Sequence, residues 1–274
     1  MRIRVHQRPS AVKKMYPLCV AHRGASAEAP ENTLLAFARA LELGVDGIEL
    51  DVQVTRDGVA VIFHDSTLTR LTGTRGRLTD RTWAELKKLR VQAEPIPTLA
   101  DALSLTRKRA ILQIEIKKGA PVAPVLAAIR KTASIGNVIL ASFEHDILRE
   151  AAALAPKLPR MLISDQTHLT TKSAKLTKEP PIDPAATHHS SLVIRNSSFA
   201  LHLLRAMSSA SASGISLCHE AITSPLFVET IHRHGAQLWC WTVDDVRTMK
   251  RLRDYAVDAI LTNDPAKLVK TLRA

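Results

Sequence analysis

Apolar positions recur along this chain in two rhythms. Short apolar runs at 18–21, 47–54, 110–117, 138–143, 160–164, 214–219, 237–243 and 258–262 have strand length and composition. Between them the apolar residues fall at helical spacing. Leu34, Phe37 and Leu41 do so after Pro30-Glu31-Asn32-Thr33, and Gly44 sits where a C-terminal cap belongs. Further helices are expected at 98–108, 121–134, 144–154 and 198–210. Another follows Ser224-Pro225 and ends at Gly235, and others start at Asp244 and Asp264-Pro265. One interruption follows the second strand. Thr55-Arg56-Asp57-Gly58 is a turn signal, 59–63 reads as a returning strand, and 66–97 is an excursion with one short helix at 83–89. Residues 165–197 are polar, carry Pro180, Pro181 and Pro184, and read as a long loop.

With the hairpin set aside, eight strands each precede a helix. Such alternation implies a parallel sheet, and eight units close as a (β/α)8 TIM barrel. A doubly wound open sheet is the alternative, but no Gly-rich phosphate fingerprint follows the first strand. The expected organisation is a single domain over 1–274, with an insertion at about 52–97 and an N-terminal arm, 1–17, lying over the barrel floor.

The second strand carries the first chemistry. In Gly47-Ile48-Glu49-Leu50-Asp51-Val52, the aliphatics take one face and Glu49 and Asp51 the other. Two buried carboxylates are costly unless a hard cation takes their oxygens, whereas on an edge strand they would simply be wet. The hairpin adds a geometric consequence. Asp51 lies six residues before Asp57 and His64 seven after it, so pairing of the arms returns His64 beside Asp51. Glu115 and Lys117 share a face of the third strand. The unusual residues His22, Glu49, Asp51, Glu115, Lys117 and Trp241 collect at strand C-termini, where barrels keep their active sites.

Composition narrows the partner. The net charge of +12 and pI near 10.0 favour anionic ligands. Aromatic residues are only 4% of the chain and no nucleic-acid motif is present, so nucleic acid is not expected. No run of 18 apolar residues occurs, so no membrane span is expected, although a basic N-terminus allows transient membrane contact. Cys19, Cys218 and Cys240 are far apart in apolar runs and read as buried, reduced thiols. Residues 1–17 lack the apolar core of a signal peptide, and the expected location is the cytoplasm.

The ordered set His22-Arg23-Gly24, Pro30-Glu31-Asn32-Thr33, Glu49-Leu50-Asp51, His64-Asp65, Glu115-Ile116-Lys117, Trp241-Thr242-Val243 and Thr262-Asn263-Asp264-Pro265 resembles the glycerophosphodiester phosphodiesterase family. The resemblance implies a divalent metal, Mg2+ or Ca2+, held by Glu49, Asp51 and Glu115, since all-oxygen ligation favours these ions. For Glu115, a salt bridge to Lys117 is the other role. It implies His22 and His64 as general acid and base, which suits imidazole near neutral pH. Arg23 is the fitting phosphate clamp, because guanidinium binds two phosphate oxygens at once, and Lys117 is a second phosphate partner. Asn32 is either the cap of the first helix or a site contact, and Trp241 either a wall of the pocket or core. The implied reaction releases sn-glycerol 3-phosphate and an alcohol from a small glycerophosphodiester, with the substrate's own 2-hydroxyl attacking phosphorus. The rival readings are a lysophospholipase D or sphingomyelinase D-like enzyme acting on lipid, and a non-catalytic binding protein on the same barrel.

Overall fold

The computed structural model describes residues 16–132, 134–165 and 188–273, with the backbone alone for 188–197. Among the described residues eleven strands are formed. They are β1 (Leu18–His22), β2 (Gly47–Val54), β3 (Ala60–Ile62), β4 (Arg90–Val91), β5 (Glu94–Pro95), β6 (Ile111–Ile116), β7 (Val138–Ser142), β8 (Arg160–Ser164), β9 (Gly214–Cys218), β10 (Gln237–Trp241) and β11 (Ala259–Thr262). Eight of them, β1, β2 and β6 to β11, run parallel in a sheet that closes where β1 pairs with both β2 and β11. This is the TIM barrel that the alternation predicts. Helices α1 (Leu34–Glu42), α4 (Leu99–Thr106), α5 (Val122–Lys131), α6 (His145–Leu154), α7 (His188–Ser209), α8 (Pro225–Arg233), α9 (Val246–Asp254) and α10 (Pro265–Arg273) intervene between or follow the barrel strands.

Strand alternation divides the core in two. Ile48, Leu50 and Val52 of β2 and Leu112, Ile114 and Ile116 of β6 face the helices and pack with Phe37, Leu99 and Leu126. The inward layer holds Val20, Ile139, Met161, Ile163, Trp239 and Leu261. Each fully buried aliphatic of this size contributes about 1.5–3 kcal/mol, so the polar inward residues described below rest on a large apolar scaffold.

The segment after β2 departs from the simple barrel. β3 pairs antiparallel with the end of β2, matching Val52 with Ile62 and Val54 with Ala60. The excursion then forms two short helices, α2 (Thr69–Thr72) and α3 (Trp83–Leu86), and the β4–β5 ladder. Helix α3 opens on a Thr82–Glu85 capping box and ends three residues before the expected boundary. The excursion has its own small core of Phe63, Leu68, Leu78, Leu86 and Ile96.

Two expectations are corrected. Helix α7 begins at His188, not at 198; no proline or glycine lies between Pro184 and Gly214 to stop it. Residues 166–187 of the expected loop, and residues 1–15 of the expected arm, lie outside the described residues. Cys19 and Cys240 are buried thiols outside any disulfide, as expected, but Cys218 is only half-buried and its Sγ touches Glu220. It lies at the last position of β9, where the barrel core ends. Among the described residues no helix is long and apolar enough to cross a membrane.

Candidate active site

The register of three neighbouring strands assembles the site. β1 pairs with β2 so that His22 stands opposite Glu49, and β2 pairs with β6 so that Asp51 stands opposite Glu115. All four side chains point inward at the C-terminal end of the barrel. One carboxylate oxygen from each of Glu49, Asp51 and Glu115 lies within 4.8 Å of the others, and all three residues are buried.

Such a cluster is electrostatically unstable unless cations join it. Lys117 supplies one, its Nζ 2.7 Å from Asp51 Oδ1 and 2.5 Å from Glu115 Oε1. Arg23 supplies another, with Nε 3.3 Å from Asp51 Oδ2. Its backbone N–H is shared between the main-chain oxygen of Glu49, at 3.0 Å, and Glu49 Oε2, at 3.1 Å. The three carboxyls divide accordingly. Burial, then the charges of Asp51 and Glu115, push Glu49 well above the usual carboxylate range. Burial and Asp51 also raise Glu115. Burial acts on Asp51 too, but Lys117 and Arg23 overcome it and hold this carboxyl well below its ordinary value. Buried, all-oxygen and still in excess of its cations, this donor set fits a hard divalent ion.

The local backbone is bent to serve this cluster. Arg23 and Asn32 both adopt left-handed φ, +58° and +60°. Gly24 has φ +83°, and a Cβ there would lie 2.7 Å from the Ala36 backbone, so the His22-Arg23 turn can approach α1 only through glycine. Thr33, not Asn32, caps α1: its side chain accepts from the Ala36 N–H. Asn32 instead contacts the carboxylate cluster. Its Nδ2 donates to Asp51 Oδ2 at 2.7 Å, and its Oδ1 accepts from the Asp51 N–H at 3.3 Å. Asn32→Ala removes both bonds and places alanine at positive φ. The expected result is a stability loss of about 1–3 kcal/mol by denaturant titration, with reduced activity.

Each histidine has one ring nitrogen committed. Asn263 Nδ2 donates to Asp244 Oδ2 at 2.7 Å, which turns Asn263 Oδ1 towards His22 Nδ1 at 2.8 Å. Nδ1 of His22 consequently carries the proton, and Nε2 faces inward, 3.9 Å from Glu49 Oε2. Burial and the charge of Arg23 lower the pKa of His22 below the ordinary histidine value. His64 lies just beyond β3, which returns it to the mouth as the hairpin predicts. Its Nδ1 donates to Asp65 Oδ1 at 2.7 Å. Gln53, inward on β2, holds this turn by donating to Phe63 O at 2.9 Å and Asp65 O at 2.7 Å.

A cavity of about 160 Å³ opens at this end, lined by His22, Arg23, Glu49, His64, Glu115, Lys117, Phe143 and Trp241 among others. Trp241 does both things considered for it: it walls the cavity and packs edge-on against Phe143, with ring centroids 6.0 Å apart. The structure thus brings together every site residue expected from the sequence. Glu115 keeps its salt bridge to Lys117 while remaining in the carboxylate cluster. Sequence reasoning did not assign Gln53, Asp65, Asp244 or Asn263. Asp65 and Asn263 lie within recognised motifs, and this was their one signal.

Comparison with known proteins gives the same answer. A profile of the Glycerophosphoryl diester phosphodiesterase family matches residues 22–267. The chain belongs to this family. It is 34% identical to a glycerophosphodiester phosphodiesterase of Caldanaerobacter subterraneus, over 94% of this chain and 99% of that protein. The barrel is similar to that of a phosphodiesterase from Oleispira antarctica solved in complex with the product sn-glycerol-3-phosphate (TM-score 0.76, 24% identity, 94% and 98% of the two chains). It is also similar to a glycerophosphodiester phosphodiesterase from Agrobacterium tumefaciens (TM-score 0.72, 25% identity, 93% and 99% covered).

Proposed function

We propose that this family member hydrolyses small glycerophosphodiesters to sn-glycerol 3-phosphate and an alcohol, with His22 and His64 as the proton-transferring pair. The observation that carries the reading is that two half-tethered imidazoles and a buried carboxylate cluster meet at one cavity. Phosphodiester cleavage needs one proton taken from the nucleophile and one given to the leaving oxygen. With Nδ1 of each ring engaged, each has its Nε2 left for that work. Glu49, Asp51 and Glu115 would hold a divalent cation, Mg2+ or Ca2+. When bound, it would neutralise charge developing on the phosphoryl oxygens.

Arg23 and Lys117 line the same cavity and supply the fixed positive charge that a phosphodiester anion requires. Lys117 exchanges contacts between carboxylate and phosphate, a change open to a flexible ammonium. Trp241 and Phe143 form an apolar wall for the carbon skeleton. The reading extends to the nucleophile. A glycerol 2-hydroxyl already attached to the substrate reaches phosphorus with little entropy loss, an advantage over free water.

The test is a substrate panel of glycerophosphocholine, glycerophosphoethanolamine, a 2-deoxy analogue of glycerophosphocholine, and lysophosphatidylcholine in vesicles. The two natural diesters are expected to release sn-glycerol 3-phosphate, and the 2-deoxy analogue to bind but turn over very slowly. Preferential cleavage of the vesicle substrate would replace this reading with the lysophospholipase D one. Equal turnover of the 2-deoxy analogue would make water the direct nucleophile.

A further inference from the structure

Arg70 lies on α2, in the excursion, and its guanidinium grips two carboxylates at once. Nη1 and Nη2 donate to Glu31 Oε2 and Oε1, both at 2.9 Å. Nε and Nη2 donate to Asp65 Oδ2 and Oδ1, at 2.6 and 2.8 Å. Each carboxylate has a second partner. Glu31 Oε1 accepts from Arg23 Nη1 at 2.9 Å, and Asp65 Oδ1 accepts from His64 Nδ1 at 2.7 Å. An unbroken chain therefore runs Arg23–Glu31–Arg70–Asp65–His64, joining the turn after β1 to the turn after β3.

Two further observations bear on what Arg70 does. Its four bonds are all directed at Glu31 and Asp65. It is thus not a free cation offered to a phosphate. Both carboxylates also stay ionised. Burial would raise Glu31, but Arg70 and Arg23 lower it, and the bond from Arg70 holds Asp65 at about 2. Asp65 is then an acceptor only, which obliges His64 Nδ1 to carry the proton. By contrast His22 is held by Asn263, a separate arrangement that Arg70 does not touch.

We propose that Arg70 is a positioning residue that, by gripping Asp65 and Glu31 together, sets the ring of His64 and the guanidinium of Arg23 against the same phosphate. The proposal rests on the phosphodiesterase reading and deepens it. It also gives the excursion a part in the site: the excursion carries the clamp that locks two barrel turns in register with each other.

The test uses the full chain, with glycerophosphocholine as substrate. Arg70→Ala is expected to lower kcat by about tenfold to a hundredfold, the scale of a misplaced catalytic group, and to raise KM several-fold through Arg23. Arg70→Lys is expected to stay close to Arg70→Ala, because a single ammonium cannot grip two carboxylates bidentately. Millimolar methylguanidinium is expected to restore Arg70→Ala in part and to leave His64→Ala unrescued. A readout independent of activity is the ring ¹⁵N spectrum of the histidines. The fixed bond from His64 Nδ1 to Asp65 should loosen in both Arg70 variants, read as a shift of the His64 ring ¹⁵N signals, while those of His22 stay unchanged. Full activity in Arg70→Lys, or an unchanged His64 spectrum in either variant, would overturn the proposal. If the wild-type protein cleaves no glycerophosphodiester, the phosphodiesterase reading falls, and the His64 spectrum alone then decides whether Arg70 positions that ring.

Discussion

His22→Ala and His64→Ala are each expected to lower kcat by about a hundredfold or more, with little change in KM, measured as steady-state release of sn-glycerol 3-phosphate. The size follows from the role. A positioned acid or base acts only while protons move, so its loss is felt in the transition state more than in binding. The structure gives each ring the necessary restraint. His22 is tied through Asn263 to Asp244, and His64 is tied to Asp65, so neither has to be ordered during the reaction. The double variant is expected to be little worse than the poorer single one if, as proposed, the two rings serve one proton-transfer sequence. Losses below tenfold in either single variant would remove that histidine from the mechanism.

The second large effect concerns the carboxylate cluster. Exhaustive chelation is expected to abolish turnover, and Mg2+ or Ca2+ to restore it. The same ions should raise the melting temperature of the chelated protein, since a ligand that binds only the folded state stabilises it by mass action. Glu49→Gln should lose both the activity and the ion-dependent rise in melting temperature. It should nevertheless fold at least as well as the wild type in chelator. Glu49 is buried beside Asp51 and Glu115, and removing its charge relieves repulsion that Lys117 and Arg23 only partly offset. Undiminished turnover in the chelated protein would contradict the assignment of Glu49, Asp51 and Glu115 as ligands.

Much of this site is legible in the sequence because strand periodicity is so rigid. Once Glu49 and Asp51 alternate with Ile48, Leu50 and Val52, they have one face to share, and a returning hairpin of known length fixes where His64 arrives. Whether Asn32 caps the first helix or contacts the site was not legible, and neither was Thr33 as the cap. Both residue types cap well, and tertiary demand decided: Asp51 needed the Asn32 amide, which left Thr33 to accept from Ala36. The start of α7 is hidden in the sequence for a different reason. Ser and Asn are frequent from Ser190 to Ser198 and obscure the period, although no breaker is present. The β4–β5 ladder is only two residues per strand, too short to leave a pattern. The least legible feature is the Arg70 clamp. Glu31, Asp65 and Arg70 are separated by up to 39 residues, and nothing in their spacing reveals that one guanidinium meets both carboxylates.

The central claim is that this barrel cleaves a glycerophosphodiester between phosphorus and the alcohol, leaving phosphate on glycerol. The most direct measurement is ³¹P NMR of glycerophosphocholine incubated with the wild-type protein and Mg2+ or Ca2+, run beside a chelated sample and Glu49→Gln. Conversion of the diester resonance to that of sn-glycerol 3-phosphate is expected in the ion-containing wild-type sample, with the diester persisting in the other two. Appearance of phosphocholine, or an unchanged diester resonance in the ion-containing wild-type sample, would contradict it.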